Sequence, residues 1–137
     1  MTLIEIQKDV LKKHNIILCD GTMCDGSKCP YSWKRMHSCS MARKIYKWDF
    51  KNSIKSTFDL FHEIGHQETT TSKMRRCESE YHATVWAINK AKEYGIADKI
   101  TDTIKNRFQN YINMELERGV RRGGKGYPTK EQLTLKW

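Results

Sequence analysis

The segment from Phe61 to His66 constrains the fold of this chain more than any other, because it spaces two histidines four residues apart. Residues four apart on an α-helix lie on the same side, one turn above the other. The imidazoles of His62 and His66 are therefore within reach of one metal ion. Glu63 points partly into the same space, where it can hold or deprotonate a water that the metal polarises. Zinc hydrolases use this His-Glu-x-x-His arrangement.

The residues around the motif predict a helix over residues 53–66. Three apolar side chains recur along one of its faces: Ile54, Phe58 and Phe61. Ser53 is a suitable N-cap residue. Gly65 costs on the order of 1 kcal/mol of helix propensity relative to Ala. Its position between the two histidines predicts that another element approaches the helix closely there.

A second helix, predicted over residues 75–94, supplies the third candidate ligand. Glu80 lies one turn before Ala83 and Ala87, so it faces the protein interior together with them. A buried carboxylate needs a partner, and a zinc ion held by two histidines lacks one protein ligand. We therefore predict that zinc bridges two helices, with water in the fourth position. The predicted ligands are His62, His66 and Glu80.

Other residues of the second helix are alternatives for roles at this site. His82 and Glu78 are alternative ligands, although both point to a different side of the helix from Glu80. Cys77, one turn before Glu80, is predicted to lie around the ligands. The candidate oxyanion donors are Tyr81, His82 and Tyr94. The alternative for the whole site is that it binds no metal: the two histidines are interior residues whose hydrogen bonds are satisfied within the protein, and Glu63 pairs with a lysine.

Residues 19–40 form a predicted loop rich in cysteine, glycine and serine. Its thiol and imidazole side chains belong to Cys19, Cys24, Cys29, Cys39 and His37. They can form a second zinc site, but four, four and nine residues separate the cysteines, not the two of common zinc knuckles. A loop with partly buried thiols is the favoured alternative. Five cysteines without a secretory signal predict a reducing compartment, which is the host cytoplasm.

The net charge of +9, from 25 Lys and Arg against 16 Asp and Glu, favours an acidic partner. The segment 34–55 combines basic and aromatic residues, which can grip single-stranded nucleic acid. A strand with a solvated lysine face explains the same residues and is favoured over direct nucleic-acid binding. The sequence has no apolar run long enough to span a membrane. The candidate partner contacts are Lys44, Lys47, Lys51, Arg118, Arg121 and Arg122.

The periodicity along the chain predicts one small α+β domain, with zincin-like helices beside a short sheet. Further helices are predicted over residues 2–13 and 98–118, and strands over residues 15–19 and 45–50. We expect residues 1–117 to form the zinc-binding domain. Residues 118–137 are expected to form a basic C-terminal extension, solvated or bound to a partner.

The two helices together resemble the ImmA/IrrE group of metallopeptidases over about residues 44–94. The resemblance is carried by His62-Glu63-Ile64-Gly65-His66 and by Glu80-x-x-Ala83-x-x-Trp86-Ala87. It implies a zinc site completed by the glutamate of the second helix. If the protein is an enzyme, Glu63 is the general base and the zinc-bound water is the nucleophile. The cysteine-rich loop departs from the pattern of the group, and its typical proline-bounded segment after the second helix is missing.

In size, basic character and zinc motif, the chain is also similar to small zinc-containing anti-CRISPR proteins of phages. This resemblance implies that it binds and inhibits a host defence protein, a type II RNA-guided nuclease, and blocks loading of target DNA. A DNA mimic would be acidic, so a basic chain suits an acidic lobe of that nuclease. The alternative is a zinc-dependent endopeptidase of the ImmA/IrrE type that cleaves a regulatory protein. Whether the zinc site is catalytic stays open.

Overall fold

Four α-helices make up most of the described chain. The computed structural model describes residues 1–18, 37–39, 44–46 and 48–137, with the backbone alone for 37–39, 44 and 46. The helices are α1 (Leu3–Lys13), α2 (Ile54–Thr69), α3 (Arg76–Glu93) and α4 (Asp102–Arg121). A 3-10 turn, Ala97–Lys99, lies between α3 and α4. The strands are β1 (Ile17–Leu18), β2 (His37–Cys39) and β3 (Lys44–Tyr46).

The prediction of an α+β fold with helices beside a sheet is wrong, because the described chain is mostly helical. The strands are two or three residues long, with β3 pairing in parallel with β1 and antiparallel with β2. Strands this short bury little surface of their own, so they do not form a layer on which a core is built. Ile45 of β3 is fully buried and joins a core that the helices dominate.

Helix α2 positions the motif and lies at the centre of the molecule, against α1, α3 and β2. The Ser53 hydroxyl accepts a hydrogen bond from the backbone N–H of Ser56 at 3.0 Å, which confirms the predicted N-cap. The helix continues to Thr69, three residues beyond its predicted end at His66. Its fully buried apolar side chains are Phe58, Leu60, Phe61 and Ile64.

Helices α2 and α3 approach each other closely at Gly65. A Cβ atom at this position would lie 2.5 Å from the carbonyl oxygen of Ala83, inside van der Waals contact. Only a glycine therefore fits at this crossing, and the close approach predicted for Gly65 is confirmed. The crossing lies one residue from His66 and three residues from Glu80, so it sets the spacing between the candidate ligands.

The C-terminal segment returns to the helical core. The predicted boundary between domain and extension, at residues 117 and 118, falls inside α4. Beyond the helix, Leu133 and Leu135 are buried, with 4% and 6% of their surface exposed. The indole ring of Trp137 lies 5.4 Å from the ring of Phe58 in α2. These contacts hold the end of the chain against the helix that carries the motif.

Candidate metal centre

The structure brings together the three predicted ligands, from two helices. Nε2 of His62 lies 2.9 Å from Oε2 of Glu80, and Nε2 of His66 lies 3.1 Å from the same oxygen. One ligand atom from each residue lies within 4.8 Å of the others. The group can therefore hold a metal ion between α2 and α3.

The three side chains of this group are not equally buried, so the group is accessible from one side. The side chains of His62 and Glu80 are 9% and 8% exposed, whereas that of His66 is 18% exposed. A carboxylate buried this deeply requires a cation beside it, either a proton on a histidine or a metal. The His66 side is where an ion, a water or a substrate can reach the group.

Thr84 fixes which nitrogen of His62 is left for a ligand. Its hydroxyl donates to the backbone carbonyl of Glu80 at 2.7 Å, and this uses its single proton. The same hydroxyl lies 3.1 Å from Nδ1 of His62, so in that contact it accepts and Nδ1 carries the hydrogen. When the ring is in the neutral form that binds metal, its lone pair is then on Nε2, the atom that faces Glu80. Metal-binding histidines are commonly oriented by such a bond from their other nitrogen.

Two hydroxyls orient His66 in a similar way. Its Nδ1 lies 3.1 Å from Oγ of Ser79 and 3.2 Å from Oγ1 of Thr70. The two hydroxyl oxygens are 2.7 Å apart, so they form a small polar network at the end of α2. With Nδ1 engaged there, Nε2 of His66 faces Glu80.

The sequence analysis missed these three hydroxyl residues, although their spacing carries a signal. Thr84 lies four residues after Glu80, and Thr70 lies four residues after His66. At one helical turn beyond a ligand, the Thr70 side chain contacts the ligand of its own helix, and the Thr84 side chain contacts the ligand of the neighbouring helix. Ser79 directly precedes Glu80 and has no such periodic signal.

The hydrogen bonds within the group shift the pKa values of Glu80 and His66 in opposite directions. Burial alone would raise the pKa of Glu80, but hydrogen bonds from His62 and His66 outweigh it and lower the pKa to about 2. Burial works against a charged His66 ring, but its hydrogen bond to Glu80 and the charges of Glu80 and Glu63 outweigh that effect. The pKa of His66 is therefore raised above 6.5. Without metal, a proton on His66 therefore stabilises the buried Glu80 carboxylate.

Glu63 lies close enough to the ligands for its charge to act on His66. It follows His62 on α2 and is partly exposed, unlike His62 and Glu80. Its negative charge is among the causes of the raised pKa of His66, so its carboxylate acts on that ring through space. This position next to the accessible side suits a group that takes a proton from water.

The alternative ligands and donors have other roles. The Glu78 carboxylate accepts a hydrogen bond from the backbone N–H of Arg75 at 3.2 Å, and so caps α3. His82 is exposed on another side of α3, with its ring 5.3 Å from that of Tyr81. Tyr94 donates its hydroxyl proton to Asp9 at 2.6 Å, so it does not serve as an oxyanion donor. Cys77 is buried in the core.

The predicted second metal site lies outside what the structure can test. Cys19, Cys24 and Cys29 fall outside the described residues, and His37 and Cys39 are described by their backbone alone. Within the described part of the chain, the group of side chains that could hold a metal ion consists of His62, His66 and Glu80.

The predicted partner contacts are split between described and undescribed parts of the chain. Lys47 lies outside the described residues, and Lys44 is described by its backbone alone. Lys51 is exposed just before α2, and its carbonyl accepts a hydrogen bond from Gln7. Arg118, Arg121 and Arg122 lie at the end of α4 and its C-cap.

Each described helix is too short or too polar to cross a membrane.

No protein-family model, curated protein or solved structure matches this chain. Its functional interpretation therefore depends on the geometry of the three-residue group and the chemistry of its side chains.

Proposed function

We propose that this chain is a zinc metalloprotein with a hydrolase-type centre, in which His62, His66 and Glu80 hold the ion. The observation that carries the proposal is the convergence of two imidazole nitrogens on one carboxylate oxygen, at 2.9 and 3.1 Å. Two histidines and a glutamate are a ligand set of catalytic zinc sites, with one position left for water. Magnesium and calcium favour oxygen ligands, so the two imidazoles favour zinc over both.

Two of the three distances between ligand atoms are close to those around a zinc ion. Donor atoms about 2.1 Å from a tetrahedral zinc ion are roughly 3.4 Å apart. The two nitrogen-to-oxygen distances are 2.9 and 3.1 Å, so the side chains need to open by a few tenths of an ångström. The bonds that orient His62 and His66 already direct their Nε2 atoms inward. The ligands are thus held in place by the protein before an ion binds.

The reaction that these residues support is hydrolysis of a polar bond, with a peptide as the substrate class that the ImmA/IrrE resemblance supports. Bound zinc would polarise a water and a substrate carbonyl. Glu63 would accept a proton from the attacking water and return it to the leaving amine. Thr84 and Ser79 keep the two histidines in their orientation during the reaction. The accessible side at His66 admits the substrate.

Metal analysis of protein purified without added zinc tests the proposal. We expect one zinc ion per chain in the wild type, almost none in His62→Ala, and an unchanged amount in Glu63→Gln. The last variant keeps the size of the side chain and removes the base, so it should keep zinc and lose hydrolysis. A wild-type protein without zinc, or a His62→Ala variant that keeps it, would contradict the proposal.

Inhibition by binding is the second candidate function, with a type II RNA-guided nuclease as the target. The observation that favours it is the exposure of Lys51, Arg121 and Arg122, which present positive charge to an acidic protein face. Mixing the protein with the guide-loaded nuclease should then give a salt-sensitive complex that loads less target DNA. Glu63→Gln should keep this effect in an inhibitor and abolish it in a peptidase. Absence of both a complex and a cut nuclease would exclude this target.

A further inference from the structure

A basic cleft lies one helical turn along α3 from the candidate ligand Glu80. It has a volume of about 220 Å³ and lies between the start of α3, the end of α4 and the segment that follows α4. Its walls carry Arg76 from α3, with Arg118 and Arg122 from α4 and its C-cap. Tyr127 closes one side, and Glu115 lies in the wall as its acidic residue.

The charges in the cleft are unbalanced, which favours an anionic occupant. Glu115 has a side chain that is 5% exposed, and its oxygens lie 3.1 Å from Nη1 of Arg118 and 3.7 Å from Nε of Arg76. The side chains of Arg118 and Arg76 remain 43% and 68% exposed despite these pairs. Three arginines and one glutamate leave two positive charges in excess in the cleft. Guanidinium groups with donors left over bind carboxylates through paired hydrogen bonds.

The wall formed by Tyr127 is held in place by specific contacts. The guanidinium of Arg75 stacks 4.3 Å from the centre of the Tyr127 ring. The same guanidinium donates to the backbone carbonyls of Gly126 and Lys125, at 2.9 and 2.6 Å. A Cβ atom at Gly119 would lie 2.6 Å from the ring, so glycine is needed for the ring to pack there. These contacts fix the position of the Tyr127 ring, so the wall of the cleft is part of the folded structure.

The cleft and the metal centre share helix α3. Arg76 lies four residues before the ligand Glu80, so both side chains are on the same side of the helix. Four residues of α-helix span about 6 Å along the axis. That length is close to the distance between residues i and i+2 of an extended peptide. A peptide at the metal centre can thus place a nearby side chain in the cleft.

We propose that this cleft binds the carboxylate of an aspartate or glutamate in a peptide whose backbone lies at the metal centre. The substrate role rests on the proposed function, whereas binding of an acidic peptide does not. A carboxylate is the occupant proposed because the occupant is a peptide, whose acidic side chains are carboxylates, and a guanidinium binds a carboxylate through paired hydrogen bonds. Nucleic acid is disfavoured because its affinity comes from many phosphate contacts along a track.

Fluorescence anisotropy with a labelled peptide of six glutamates tests the proposal on the protein as purified. Arg122 is the residue to replace, because it lies at the C-cap of α4 and both ion pairs of Glu115 are left intact. We expect Arg122→Gln to weaken binding about tenfold, as loss of a hydrogen bond to a charged group predicts. Arg122→Lys keeps the charge and should restore part of the affinity. Lys99→Gln removes one exposed charge that does not line the cleft and should change affinity less than about twofold.

Three results would overturn the proposal: no binding of the peptide, equal weakening by Arg122→Gln and Lys99→Gln, or Arg122-dependent binding of single-stranded DNA in place of the peptide. Zinc measured in the same samples separates this proposal from the proposed function. If a protein without zinc binds the peptide in an Arg122-dependent way, the hydrolase proposal is contradicted and the acidic-peptide site is supported. If a zinc-loaded protein does not bind the peptide, the cleft proposal is contradicted and the metal centre is supported.

Discussion

At the scale of single residues, Thr84 has the most specific role outside the ligands. Its side chain is fully buried, and its one hydroxyl joins the Glu80 backbone to Nδ1 of His62. Valine has nearly the same shape without the hydroxyl, so Thr84→Val should leave the fold intact and free the ring of His62. We expect zinc affinity to fall about tenfold, as for other bonds that orient metal ligands.

Competition with a chromophoric zinc chelator measures that change. Thr103→Val is a matched control, because Thr103 is an exposed threonine of α4. The control should bind zinc like the wild type. Equal affinities for all three proteins would show that the Thr84 hydroxyl does not orient the ligand.

The three ligands could be predicted from sequence because helical phase is a local property. His62 and His66 share a side of α2 by their spacing, and Glu80 shares one with the small residues that pack α3. The hydroxyls that orient them were not predictable in the same way. Thr70 lies one helical turn after His66 but within a run of four hydroxyl residues, and Ser79 reaches His66 only because α2 crosses α3.

At the scale of the elements, the crossing of α2 and α3 joins stability to metal binding. Gly65→Ala would place a methyl group against the backbone of Ala83, which cannot move without shifting α3. Overpacking of this kind costs about 1–3 kcal/mol, more than the helix propensity that alanine gains. Because Glu80 lies on the helix that must move, the variant should also bind zinc more weakly.

Urea denaturation and zinc titration of Gly65→Ala measure the two effects. Gly95→Ala is not a suitable control, because Gly95 has a positive φ of 72° that alanine adopts poorly. Asn89→Ala, on the exposed side of α3, is a better one and should change neither property appreciably. A Gly65→Ala protein as stable as the wild type would show that the helices have room to separate.

The helices were easier to predict than the strands, for reasons that particular residues show. Helix α2 extends beyond its predicted end, to Thr69. The Thr69 hydroxyl donates a hydrogen bond to the backbone carbonyl of Gly65 at 2.7 Å, which is compatible with a helical position. The aromatic residues after β3 had predicted a strand to residue 50. Trp48 and Phe50 instead pack edge to face, with ring centres 6.3 Å apart, against the helical core. Aromatic side chains satisfy either role, and tertiary packing decides between them.

At the scale of the whole molecule, the end of the chain contributes to the core. The charge of residues 118–137 suggested an extension that is solvated or bound to a partner. That interpretation did not take account of the apolar residues at alternate positions 133, 135 and 137. Leu133→Ala should lower the free energy of unfolding by about 2 kcal/mol or more, since Leu133 is 4% exposed. Lys136→Gln, at an exposed position between two of these residues, should have little effect. Equal unfolding free energies would place the segment outside the cooperative fold.

The metal and the protons compete for the same group, and this competition gives the whole molecule a pH-dependent response to zinc. In metal-free protein, the raised pKa of His66 contributes stability below about 6.5 that is lost as pH rises through the folded-state value. The lowered pKa of Glu80 contributes stability above about 4.5 that is lost as pH falls toward 2. Protons therefore stabilise the group best at mildly acidic pH. Zinc requires unprotonated histidines, so its contribution increases with pH.

Thermal unfolding with zinc and with a chelator, at about pH 5.5 and pH 8, tests this competition. We expect the melting temperature to differ little between the two samples at the lower pH and clearly at the higher pH, where zinc ties α2 to α3. His62→Ala should show almost no difference at either pH, because it removes one of the two histidine ligands. A chelator that leaves the wild-type melting temperature unchanged at pH 8 would show that metal does not link the two helices. A difference that is as large at pH 5.5 as at pH 8 would show that protons and metal do not share the site.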